Sequence, residues 1–150
     1  MFTAETLFEL LCEQVQLLDL LIESGLQQQQ AIEANRMSEL VAILAQKQPH
    51  LERLGDIRQT LQTQQCDIEQ SGFWPDTTRR NQCRTMREQA SSRFEQLIRL
   101  EQTCEQALAQ SRDQIQARLQ TVDSGRHAVS AYQSQASAAK PPRFDFSSLG

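Results

Sequence analysis

Apolar residues recur at three- and four-residue steps through most of the chain. Between Ala4 and Ala34, Phe8, Leu11, Val15, Leu18, Ile22, Leu26 and Ile32 fall on one stripe, which Leu7, Leu10, Leu17 and Leu21 widen. That spacing predicts a long amphipathic helix. The stripe thins at "GLQQQQ". Gly25 costs about 1 kcal/mol in a helix interior, a loss the flanking leucines can offset. The four glutamines are good helix formers and read as solvated helix.

The pattern breaks at "EANRMSEL". Asn35 has the side chain of an N-cap, whose oxygen can accept from the amides of a new first turn. A second helix is expected from about Arg36, with Met37, Leu40, Leu44, Leu51, Leu54, Leu61 and Ile68 as its seam. So short a connection makes the two helices an antiparallel hairpin. Pro49 lacks a backbone donor and clashes one turn back, so a kink or short break is expected at "KQPH".

The next interruption, "SGFWPDTT", combines Ser, Gly, Pro and Asp and reads as a loop. Asp76 or Thr77 is expected to cap the helix that follows. The adjacent aromatics Phe73 and Trp74 are expected to plug the end of the hairpin rather than line a ligand pocket. A third helix, from about Thr77 to about Gln133, carries alternating four- and three-residue steps. Its seam reads Ala90, Phe94, Leu97, Glu101, Cys104, Leu108, Ser111, Ile115, Arg118, Val122, Gly125, Val129 and Tyr132. The seam is well filled to Ile115 and weaker beyond it, where less of the protein's own surface is available to pack on.

From "QSQASAAKPP" onward the chemistry becomes that of a linker. The division is therefore a helical domain over residues 1–139 and a C-terminal tail over 140–150. The fold class is all-α: an antiparallel helical hairpin plus a longer third helix, an elongated coiled-coil-like bundle with a tail. Composition agrees. Of the 150 residues only 5% are aromatic and five are Gly, while helix formers dominate.

Charge narrows the function. The net charge is -4, the opposite of a nucleic-acid footprint. No apolar run approaches the ~20 residues of a membrane span. The N-terminus has acids within its apolar stretch and no basic leader, so a cytoplasmic location is expected. The cysteines Cys12, Cys66, Cys83 and Cys104 lack CxxC spacing, and neither His50 nor His127 lies near one. They read as small semi-buried apolar residues. No Glu-x-x-His pair, phosphate loop or nucleophile elbow is present. An enzyme has no residue to rest on, and no cofactor or metal is expected. Arg79, Arg80, Arg84 and Arg87 cluster at the start of the third helix, where cations oppose the helix dipole. They read either as partners of acids such as Glu69 and Asp67, or solvated, or as a docking patch for an acidic partner.

The stretch "LLDLLIESGLQQQQAIEANRMSELVAILAQKQPHLERL" resembles the flagellar export chaperones of the FlgN type. The resemblance is carried by a Leu-rich helix, a small-polar break at Asn35, a Leu-x-x-Leu run, and a Lys-Gln pair with further leucines. In this chain those elements are Leu40, Leu44, Lys47, Gln48, Leu51 and Leu54. Tyr132 in "SAYQSQ" is similar to the family's Tyr near the end of its last long helix. The resemblance implies a chaperone without a chemical step. It would hold the C-terminal helical segment of hook-associated proteins, prevent their early assembly and pass them to an export gate component. On that reading Val122, Val129 and Tyr132 contact the client or the gate, with Phe144, Phe146 and Leu149 as tail anchors. The tail could cover the client groove, order onto the client, or remain inert. A second reading keeps the seam but buries it between identical chains, as a self-associating scaffold with no client.

Overall fold

The computed structural model describes residues 1–136. Among these are four helices: α1 (Ala4–Glu33), α2 (Met37–Thr63), a short α3 (Gln65–Glu69) and α4 (Thr77–Ala136). No strand occurs among the described residues. The chain divides into two compact units, Met1–Leu108 and the part from Ala109 onward. α4 contributes to both.

Local chemistry sets the helix ends. The Thr3 hydroxyl accepts from the Thr6 amide at 3.2 Å and caps α1. The Asp76 carboxylate accepts from the Arg79 amide at 2.7 Å and caps α4. Asn35 is not the expected N-cap. Its φ is 57°, a left-handed conformation. The Arg36 amide donates to the Ala31 carbonyl at 2.8 Å, and the Asn35 amide donates to Ile32 at 3.1 Å. This paired closure ends α1, with Asn as the non-glycine residue most tolerant of that backbone. Arg36 stands at the N-cap of α2 without a side-chain cap bond.

α1 and α2 form the expected antiparallel hairpin, and α4 returns alongside them. Three apolar layers define the order. Leu7 and Leu11 meet Ile68 and Cys83. Val15, Leu18, Leu21 and Ile22 meet Leu54, Ile57, Ala90 and Leu97. Ala31 and Ile32 meet Leu40, Ile43 and Cys104. α4 thus runs parallel to α1 and antiparallel to α2, up-down-up. Its buried positions Cys83, Ala90, Leu97 and Cys104 are seven residues apart, a heptad seam. Phe73 stacks on Phe2 with centroids 6.0 Å apart and meets Trp74 edge-on at 5.1 Å. Both loop aromatics pack on the first layer.

The α2 seam differs from the one read from its leucines. Leu40, Ile43, Lys47, Leu54 and Ile57 are buried, whereas Leu44 and Leu51 are exposed. Leu26 of α1 is exposed too. Leu40, Lys47 and Leu54 keep a seven-residue repeat that passes through a cation, so apolar spacing alone selects the wrong leucines. α2 also ends earlier than the leucine pattern implied, and Ile68 belongs to α3. Pro49 does not break α2, which is continuous from Met37 to Thr63. Pro49 and Ala45, four residues back, lie on the exposed face, where water can satisfy the carbonyl left without a donor.

Gln28 is not solvated helix. It is buried and accepts from the Lys47 ammonium at 3.0 Å, and that ammonium also donates to Glu101. Each of the three comes from a different helix. Together they form a polar layer between the second and third apolar layers.

Gly25 is held by contact. A Cβ there would meet Leu100 Cδ2 at 2.5 Å and Cγ at 3.0 Å, whereas one on Gly55 in α2 would meet nothing within 4 Å. Gly55→Ala therefore gains helix propensity and raises stability by about 1 kcal/mol. Gly25→Ala overpacks, at a cost of about 1–3 kcal/mol, and lowers stability despite the same propensity gain. Urea unfolding of the two variants checks the opposite signs. Leu100→Ala should cost less on the Gly25→Ala background than alone.

Candidate functional site

In the second unit α4 carries an apolar stripe with no cover among the described residues. Ile115, Leu119, Val122, Val129 and Tyr132 are exposed large hydrophobics. Ile115, Val122 and Val129 occupy one heptad position. Leu119 lies one turn beyond Ile115, and Tyr132 lies three residues beyond Val129. These steps place them along one side of the helix over about 25 Å. Val122 is 49% exposed, Val129 44% and Tyr132 72%. A Val or a Tyr so exposed is ordinary when single. A heptad-spaced row is what a helix offers to another helix.

Of the residues singled out from sequence, Val122, Val129 and Tyr132 therefore share this side of α4. Phe144, Phe146 and Leu149 lie outside the described residues. Ile115 and Leu119 were missed as surface residues. The signal was the i, i+4 step between them, combined with the weakening of the seam in that region. Polar side chains flank the stripe. Asp123 faces Arg126 at 4.0 Å, a surface pair of little energetic weight.

In the first unit, ion pairs join the helices across the surface. Arg53 of α2 grips Glu13 of α1 with two bonds, 2.6 and 2.8 Å, and Arg93 of α4 reaches Asp19 at 2.7 Å. The Arg53 hydrogen bonds hold the Glu13 carboxyl below the usual carboxylate range. Burial pushes the Cys83 and Cys104 thiols up, which keeps them protonated and poorly nucleophilic. All four cysteines are free. Among the described residues no three His, Cys, Asp or Glu side chains gather as metal ligands do, and no helix is long and apolar enough to cross a membrane.

The fold defines an all-α bundle protein, and α4 carries an apolar row that is exposed among the described residues. A family model described as FlgN protein matches residues 1–140. The chain belongs to the FlgN family, a family of flagellar export chaperones rather than enzymes, which bind flagellar proteins. No curated protein and no solved structure matches it.

Proposed function

We propose that this protein holds the C-terminal helical segment of hook-associated flagellar proteins in the cytoplasm, keeps it from assembling early and delivers it to the export gate. The exposed apolar row from Ile115 to Tyr132 carries this reading. A client helix destined for a filament is amphipathic and prone to aggregate alone. Laying its apolar side along this row buries both faces, the helix-in-groove mode of recognition. Val122, Val129 and Tyr132 are the contacts on α4. Phe144, Phe146 and Leu149, in the sequence from residue 140 onward, are the apolar anchors for the client.

Binding of this kind needs no cofactor and no chemical step. The net charge of -4 disfavours nucleic acid as a competing ligand.

A pull-down from the organism's own lysate tests the proposal, comparing the full chain with one ending at Ala139. The full chain should recover hook-associated proteins, and the shortened chain should recover markedly less. Equal recovery would leave the chaperone and remove the tail from the binding site. Recovery of the chain alone would assign the stripe to contacts between copies, as in a scaffold.

A further inference from the structure

We propose that a cleft in the first unit, between α3, the loop after it and the first turns of α4, docks a short acidic segment of a partner protein. The cleft has a volume of about 580 Å³, and its lining includes Ile68, Glu69, Trp74, Arg80, Arg84 and Arg87. The neighbouring Arg79 is already committed. It pairs with Glu5 at 2.9 Å and lies 4.1 Å over the Phe8 ring. The side chains of Arg80, Arg84 and Arg87 have no ion pair or hydrogen bond among the described residues, and neither Glu69 nor Asp67 neutralises them.

These three arginines stand at i, i+4 and i+7 of α4, on one side of the helix. They span about 10 Å along its axis, the length of about three residues of extended peptide. Carboxylates at alternate positions of such a peptide would face them together. Guanidinium groups bind carboxylates with two parallel charge-assisted bonds. Trp74 and Ile68 supply an apolar wall for the side chains in between. Cations beside a helix N-terminus are unfavourable until an anion meets them. In a chain with 19 acids against 15 bases, leaving three such arginines unpaired concentrates charge that an incoming acid can use.

A short acidic segment fits better than a nucleic acid. The net charge of -4 repels a long polyanion as a whole, and Glu69 stands in the lining. A few carboxylates sense mainly the local arginines. This site shares no residue with the α4 stripe and does not depend on the chaperone reading.

Trp74 is the only tryptophan, so its emission reports on the cleft directly. The probe is an end-blocked hexapeptide of alternating Glu and Leu, titrated into the full chain at low ionic strength. Anisotropy of the same peptide carrying fluorescein serves as a second readout. Saturable binding with a shift in Trp74 emission is expected, and an Arg84→Gln, Arg87→Gln variant of unchanged helicity should bind at least about tenfold more weakly. Arg112→Gln, an exposed arginine of the second unit, should leave binding unchanged. Three results would each overturn the proposal: no saturable binding by either readout, equal affinity in the double variant, or equal binding of the peptide with Lys in place of Glu. Tighter binding of a single-stranded oligonucleotide than of the peptide would overturn it in favour of nucleic acid.

Discussion

Replacing Glu101 with leucine lowers stability by about 3 kcal/mol, at the lower end of what stranding a buried charge costs. The Lys47 side chain is 4% exposed, and among the described residues its ammonium is held only by Gln28 and Glu101. Glu101 itself is 42% exposed, so water screens its share of the pair. The loss arises on the lysine side, where a cation deep in the bundle keeps one neutral acceptor. The converse change separates charge burial from packing. In the triple variant Gln28→Leu, Lys47→Met, Glu101→Leu the layer becomes apolar at similar volume, and stability returns at least to the starting value. Lys47→Met alone leaves the Gln28 oxygen without its donor and costs about 1–2 kcal/mol. Urea unfolding of the set decides the matter. A Glu101→Leu protein as stable as the parent would mean that Lys47 reaches water.

Val122→Ala, Val129→Ala and Tyr132→Ala together weaken binding of a purified C-terminal helical segment of a hook-associated protein by about a hundredfold or more. Each truncation removes about 1–2 kcal/mol of apolar contact in the complex, and every 1.4 kcal/mol is tenfold in affinity. The free protein should melt as before. These side chains are 44–72% exposed, and alanine is the best helix former. Titration calorimetry measures the first effect and circular dichroism the second. Unchanged affinity would move the client contacts to another face. A large drop in melting temperature would make the stripe part of the protein's own packing.

The α4 stripe was largely legible beforehand. Its spacing is regular, and the sequence already shows the seam of this helix weakening beyond Ile115. The arginine-lined cleft was legible only as a choice. Four arginines near one helix start are plain in the chain, but which of them are used internally is not. Arg79 pairs with Glu5, a residue 74 positions away, rather than with the nearby Glu69 or Asp67. Which of the four arginines is committed among the described residues depends on how α1 and α4 lie together.

Periodicity and local chemistry determined the helices, the hairpin, the Asp76 cap and the long apolar series of α4, because these depend on residues within a turn or two of one another. Tertiary structure decided what depends on the neighbouring helix. Asn35 closes α1 instead of opening α2 because the hairpin needs a left-handed residue there. Gly25 is favoured because the Leu100 side chain occupies the space a Cβ would take. Lys47 and Gln28 sit inside while Leu44 and Leu51 sit outside. A polar side chain is buried only where another helix brings its partner, and the pattern of one helix by itself carries no record of that partner.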